Sequence, residues 1–220
     1  LSDFAEEIAT AKTHPLVEVC QGTPAIAAIR YARENHCDLI AIPKPEGHPF
    51  PSAYASKILR KATCPVWVSG RGNLSSIAVC VDPSGTEGNQ FEVNTKALQM
   101  ATSMAEREGC PLHVIAAWSP LIIGRMHHYL SPDEIKDYVN NVKMASAESL
   151  DKILSGFLSS SCPVEVHLER GSAAQVIPEK IQSLGADLVI MGNLARTGIA
   201  GYLIGNTAEQ IIGKLSLIHI

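Results

Sequence analysis

The segment of this chain whose residue types and spacing could do chemistry is a glycine-containing loop. Gly192, Ala195, Gly205 and Asn206 follow the spacing G-x2-A-x9-G-N, and the loop joins the apolar, strand-like run 187–191 to a helix-like run. A loop that leaves a buried strand and enters a helix is where α/β proteins bind phosphate, because free backbone N–H groups and the positive end of the helix dipole converge there. We expect the glycines to permit positive φ and to let a ligand approach the main chain closely.

Neighbouring side chains could assist such a site, and each also has a plain structural interpretation. Arg196 is a candidate phosphate clamp, or an exposed charge that aids solubility. The amide of Asn206 could donate hydrogen bonds to a phosphate, or the residue could cap the following helix. Gly192 and Gly205 could equally form a turn that binds nothing. The residues alone leave these alternatives open.

The composition argues against several function classes. A chain of 220 residues that is 46% hydrophobic and 18% charged can bury a core and is not disordered. The formal net charge is −4 and no basic stretch exceeds two adjacent residues, so the electrostatic pattern of nucleic-acid binding is missing. No apolar run approaches the roughly eighteen residues that span a bilayer. We therefore expect neither nucleic-acid nor membrane partners.

Cysteine and histidine spacing predicts reduced thiols and no metal site. The six cysteines include no C-x-x-C pair, and Cys80 lies inside an apolar run, which favours free thiols in the cytoplasm. His127 and His128 are adjacent, with no cysteine or aspartate at ligand spacing, so a solvated loop is favoured over a metal site. Ser84 follows Asp82 without a nucleophile-elbow motif or an obvious base, and we assign no catalytic residue.

An internal repeat organises the chain into two copies of one unit. Residues 22–25 recur as 171–174, and residues 38–42 recur as 187–191, with the same offset in sequence. Each copy reads as a strand, a helix, a strand, a loop, a helix and a strand. The second copy has further elements in front of it, whereas the first lacks its opening strand, helix and second strand.

The additional elements of the second copy complete an α/β unit. Apolar strands are predicted at 77–81 and 112–117, with a helix over 93–108 between them. Ser131 and Glu134 have the spacing of a capping box, which predicts a long helix from there to about residue 157. Alternating helices and fully apolar strands predict an open five-stranded parallel sheet with helices on both faces, Rossmann-like in type. Ligands should bind where the strand order reverses.

Both ends of the chain differ from a complete pair of such units. We expect residues 1–71 to be the carboxyl-terminal part of a first domain, so that the chain begins inside that domain, and residues 72–214 to be a second domain. Residues 215–220 have the sequence encoded by a transposase end used in sequencing adapters, and we interpret them as a non-native tail. The alternative is a genuine last strand, because the segment alternates as a strand does.

The loop of the first copy differs from the loop of the second. Four of its ten residues, 43–52, are proline, which has no N–H group to offer a phosphate. Glu46 adds a negative charge that would repel one. We therefore expect only the second unit to bind a phosphorylated ligand.

The spacing from Gly192 to Asn206 resembles the signature G-x2-G-x9-G-[S/T] of the universal stress protein family. The order of elements extends the resemblance from Ser75 to Lys214, and the repeat is similar to the tandem, two-domain members. Arg196-Thr197-Gly198 with residues 205–209 resembles the E-type bacterial subgroup. Two residues depart from the signature: Ala195 stands at its second glycine, and Asn206 replaces a serine or threonine.

The resemblance implies a stress-response protein that binds an adenine nucleotide, ATP, in its second domain and is not an enzyme beyond slow ATP hydrolysis. Asp82 matches the strand-end aspartate beside adenine and ribose, and Ala116 and Ala117 match the main chain that reads the adenine edge. Self-association, or pairing of the tandem domains, is also implied. The alternative is an interaction or small apolar-ligand module that uses no nucleotide. The phosphate-binding stretch would comprise Met191, Gly192, Ala195, Arg196, Gly205, Asn206 and Thr207.

Overall fold

The computed structural model describes residues 16–43, 52–69, 73–120, 130–157, 161–192 and 206–215. The chain separates into two compact units, one of residues 1–42 with 52–68 and one of residues 43–51 with 69–220. The predicted boundary at residues 71 and 72 stays a prediction, and the units are described separately.

Among its described residues, the first unit contains two helices and two short strands. These are α1 (Pro24–Glu34), β1 (Ile40–Pro43), α2 (Ala53–Lys61) and β2 (Val66–Ser69), with β1 and β2 hydrogen-bonded in one small sheet. The strand predicted ahead of the first helix is absent, because residues 16–23 belong to no strand or helix. Pro24 at the first turn of α1 supplies a helical φ without needing an N–H partner. Small and aliphatic side chains form the interior, among them Ala25, Ile42, Ala55 and Ile58.

Within the part of the chain that the structure describes, the second unit alternates strands and helices, as the repeat predicts. Its strands are β3 (Ile77–Val81), β4 (Leu112–Trp118), β5 (Val164–Arg170) and β6 (Leu188–Met191). Its helices are α3 (Gly88–Glu108), α4 (Pro132–Leu154), α5 (Ala173–Leu184) and α6 (Asn206–Lys214).

The four strands form one parallel sheet in the order β5-β4-β3-β6. The α/β architecture with a parallel sheet is thus as predicted. The fifth strand of the prediction would follow α6, where residues 216–220 lie outside the described residues. The chain runs outward from β3 to β4 and β5 and then returns to the other side of β3, so the strand order reverses at β3.

Helices cover both faces of this sheet. Alternate residues of its central strands point to opposite sides, and apolar side chains on each side pack against helices. Ile77 and Val79 of β3 pack in one core with residues of α3 and α4. Ala78 and Cys80 pack in the other with Ile177 of α5 and Ile211 of α6. All five residues of β3 are buried, as expected for a central parallel strand.

The first residue of α4 was predicted correctly from its capping residues, whereas that of α3 was predicted too late from apolar periodicity. The capping box is present at α4, where Ser131 and Glu134 bond each other's backbone N–H groups. α3 begins at Gly88, five residues before the predicted start at 93. Most of its first turn is exposed, so apolar periodicity begins only where the helix reaches the sheet.

Candidate functional site

The carboxyl ends of β3 and β6 lie side by side at the point where the strand order reverses. Cys80 pairs with Met191, so the next residues along each strand, leading to Asp82 and Gly192, leave the same edge of the sheet. An open α/β sheet binds ligands in the crevice at such a switch point. The structure therefore brings two of the predicted site residues, Asp82 and Gly192, to neighbouring positions.

The Asp82 carboxylate is exposed and held in one orientation by its own turn. Its Oδ1 accepts hydrogen bonds from the Ser84 backbone N–H at 2.9 Å and from the Ser84 hydroxyl at 2.6 Å. Gly85 N–H closes the turn on the Asp82 carbonyl at 3.1 Å. The ordinary turn predicted around Ser84 is therefore present, and it fixes the orientation of the Asp82 carboxylate.

A buried asparagine that sequence reasoning missed makes hydrogen bonds to the main chain of this turn. Asn94 of α3 is only 1% exposed. Its Oδ1 accepts from the Asp82 N–H at 3.1 Å, and its Nδ2 donates to the Asp82 carbonyl at 2.9 Å and to the Gly85 carbonyl at 3.3 Å. A polar residue at an apolar position of the helix period is the signal that could have revealed it.

Gly192 packs closely against α3 and does not have the positive φ expected there. Its φ lies outside the left-handed range, and a Cβ at this position would lie 2.1 Å from Cγ1 of Val93 in α3. Gly85 is similarly crowded, since its Cβ would lie 2.0 Å from Cγ of Gln90. Both glycines let α3 approach the carboxyl edge of the sheet.

Ala116 and Ala117 differ in what they can offer a ligand. The Ala116 side chain is fully buried in the core beneath α3 and α4, so only its main chain could contact a ligand. β3 pairs with β4 as far as Ala116, whereas β4 continues to Trp118. The main chain of Ala117 therefore lies beyond the last β3 pairing, beside the turn that starts at Asp82.

The remaining predicted site residues are placed only in part. Met191 ends β6 and is half-buried, Asn206 is the first residue of α6, and Thr207 is exposed. Ala195, Arg196 and Gly205 lie outside the described residues, as do His127 and His128. Their predicted roles stay predictions.

Arg170 is a cation at this edge of the sheet that sequence reasoning did not single out. It ends β5, and its guanidinium carbon lies 5.7 Å from the ring centroid of Trp118, which ends β4. Gly171 N–H donates to the Trp118 carbonyl at 2.8 Å and joins the two strand ends. The guanidinium is thus held over the Trp118 ring at the ends of β4 and β5.

A second group of ionisable side chains lies elsewhere on the sheet. His113 of β4 and Glu165 and His167 of β5 place one ligand atom each within a small volume. Burial, with the nearby charge of Lys180, lowers the pKa of His167 and favours its neutral ring. The expectation of no metal site was drawn from the cysteines and from His127 and His128, and did not include these three residues.

Residues 75–217 match the model of the universal stress protein family. This chain belongs to the universal stress protein family. The match runs from just before β3 to beyond α6, and so confirms the resemblance drawn from the glycine spacing and the order of elements.

Several universal stress proteins are similar in sequence or structure. The universal stress protein E homolog of Haemophilus influenzae is 30% identical over 164 residues, covering 73% of this chain and 52% of the relative. Universal stress protein E of Escherichia coli is 26% identical over 166 residues, covering 72% of this chain and 50% of the relative. The chain therefore spans about half the length of the curated relatives it matches.

A solved Pseudomonas aeruginosa structure, described as a universal stress protein, superposes with a TM-score of 0.69 at 25% identity. The superposition covers 89% of this chain and 66% of that one. A universal stress protein of Archaeoglobus fulgidus gives a TM-score of 0.55 at 17% identity, covering 96% and 73%. The second likeness shows the shared fold alone.

Among the described helices, none combines the length and apolar character that crossing a bilayer requires. No disulfide joins the six cysteines, all of which lie in the described part of the chain. Burial raises the pKa of the Cys80 thiol to about 12.

Proposed function

We propose that this universal stress protein binds an adenine nucleotide, ATP, at the switch point of its second unit and acts in the stress response by binding. The observation that carries the proposal is the adjacency of the Asp82 and Gly192 strand ends where the strand order reverses. A crevice between such ends is the position at which open α/β sheets take nucleotides.

In this proposal the ribose, the adenine and the phosphates each contact a different segment at the carboxyl edge of the sheet. The Asp82 carboxylate, oriented by Ser84, accepts hydrogen bonds from the ribose hydroxyls. The main chain of Ala117 reads the adenine edge. The phosphates follow the loop from Gly192 to Asn206 and meet the positive end of the α6 dipole.

Binding, and not catalysis, is the proposed activity. The Asp82 carboxylate is committed through Oδ1 to its own turn, which suits a fixed hydrogen-bond acceptor. ATP turnover would then be slow at most. The first unit contributes no second site, because the prolines of residues 43–52 remove N–H donors.

One observation favours the alternative, a nucleotide-independent interaction or apolar-ligand module on the same fold. Gly192 is explained by its contact with Val93, without any ligand. That leaves Ala195 and Asn206 as departures from the signature with no compensating feature among the described residues. In either case we infer a cytoplasmic protein that pairs its tandem domains or self-associates.

The proposal is tested by titrating the full chain with ATP by calorimetry. Asp82→Ala should abolish or strongly weaken binding, because the ribose loses its acceptor. Ser84→Ala is the matched control, since it removes the hydroxyl donor at 2.6 Å but leaves the carboxylate and the backbone donor. Binding of ATP by neither wild type nor Ser84→Ala at millimolar nucleotide would favour the interaction module.

A further inference from the structure

We propose that His113, Glu165 and His167 form a Zn²⁺ site between β4 and β5. The three side chains combine two imidazoles and a carboxylate, a ligand set typical of zinc sites with three protein ligands. The site lies on the α5 face of the sheet and is independent of the proposed nucleotide site.

The strand register brings the ligands together. Glu165 and His167 are two residues apart on β5, so both side chains point to the same face. His113 pairs directly with Glu165 across the parallel ladder. The spacing H…E-x-H is invisible to a local motif search because the first ligand lies on a different strand.

The distances suit a tetrahedral ion. His113 Nδ1 lies 3.3 Å from His167 Nε2 and 3.4 Å from Glu165 Oε2, and His167 Nε2 lies 3.8 Å from the same oxygen. Atoms bound tetrahedrally to zinc at about 2.0–2.2 Å are roughly 3.3–3.5 Å apart. Both separations from His113 Nδ1 lie in this range, and the separation between His167 Nε2 and Glu165 Oε2 is longer, at 3.8 Å.

Burial and charge are compatible with a cation. The His113 side chain is 9% exposed and that of His167 15%, whereas that of Glu165 is 62% exposed, which provides a path for the ion from solvent. Lys180 of α5 is the nearby positive charge, and its Nζ is paired with Glu169 at 2.9 Å. The three protein ligands leave a fourth tetrahedral position for water.

The location separates this site from the switch point. His113 is the second residue of β4, and Ala117 lies four positions further along, about 13 Å at the rise of a strand. Two ligands belong to β5, the edge strand of the described sheet, and one belongs to its neighbour. A bound ion would therefore clamp the edge strand to the sheet.

The test is metal binding by the full chain, stripped with a chelator and kept free of nucleotide. Co²⁺ is titrated by visible absorption, which reports tetrahedral coordination, and Zn²⁺ by competition with a chromophoric chelator. Wild type should bind one equivalent. His167→Gln should weaken binding at least about 100-fold, since even changes outside the ligand shell cost roughly 10–100-fold.

Two further variants keep the test decisive. Glu165→Gln changes an exposed side chain and should fold normally, yet weaken Zn²⁺ binding at least about tenfold and remove the rise in melting temperature that zinc gives wild type. His36→Gln, which changes an exposed histidine of the first unit, should leave both unchanged. Absence of one-equivalent binding by wild type, or equal affinity in wild type and both ligand variants, would overturn the site.

Discussion

Asn94 bonds the main chain of Asp82 on both sides of its Cα: Oδ1 accepts from the Asp82 N–H at 3.1 Å and Nδ2 donates to the Asp82 carbonyl at 2.9 Å. The residues are twelve apart in sequence and belong to different elements. One buried amide therefore sets the direction in which the chain leaves β3 and positions the carboxylate at the switch point.

Asn94→Ala should lower the free energy of unfolding by about 2–4 kcal/mol, because the Asp82 N–H and the Gly85 carbonyl lose the Asn94 amide and the Asp82 carbonyl keeps only the Gly85 N–H. Urea unfolding of the full chain measures this. Asn89→Ala, in the exposed first turn of the same helix, is the control and should change stability by less than about 0.5 kcal/mol. Equal losses in the two variants would contradict the role given to Asn94.

Gly192→Ala should destabilise the protein by about 1–3 kcal/mol, because its Cβ would overlap Cγ1 of Val93. The additional change Val93→Ala removes that atom, so the double variant should lose less stability than the two single variants together. Gly213→Ala, where a Cβ meets open space, should be neutral or slightly stabilising. Additivity of the Gly192 and Val93 changes in chemical denaturation would disprove the packing explanation.

The capping box should make the stability of α4 depend on pH. Hydrogen bonds from the backbone N–H and then the hydroxyl of Ser131 lower the pKa of Glu134 below its ordinary value of 4.5. A carboxyl group with a lowered folded-state pKa contributes stability above the unfolded value and loses it as pH falls through the folded one. Wild type and Glu134→Gln should therefore differ at neutral pH and converge well below pH 4.5.

Denaturation midpoints recorded across that range provide the measurement. Glu148→Gln, which neutralises an exposed carboxylate inside the same helix, is the control and should not reproduce the convergence. A difference between wild type and Glu134→Gln that stays constant into acid would show that the carboxylate charge plays no part in capping.

Ala195→Gly should tighten ATP binding by up to about tenfold, roughly 1.4 kcal/mol, if the signature position needs positive φ. Gly205→Val should remove binding, because a branched side chain would lie against the phosphates. Calorimetry on the full chain compares the three proteins. An unchanged affinity in Ala195→Gly would mean that the main chain at this position does not adopt that conformation.

The elements of the second unit could be predicted because their signals are local. The apolar run of β3, the capping box at Ser131 and the strand-to-helix loop after Met191 are each read from residues close together in sequence. Strand alternation with helices also predicted a parallel sheet, and hence that Asp82 and Gly192 leave the same edge.

Contacts between distant residues could not be predicted in the same way. The Asp187 carboxylate accepts from the Ser75 N–H at 2.8 Å and the Ser76 N–H at 3.0 Å, more than a hundred positions away. His113 and His167 meet across 54 positions because of the β4–β5 register. No local pattern specifies which residues of two strands joined by a long crossover stand opposite each other.

By itself, the sequence determined the fold class, the family and the position of the strand-to-helix loop, because period, capping and glycine spacing act over a few residues. Only the tertiary structure decided that Gly192 packs against Val93, that Asn94 supports Asp82, and that His113, Glu165 and His167 come together. Strand register and helix docking set these contacts, and both follow from how the whole core packs.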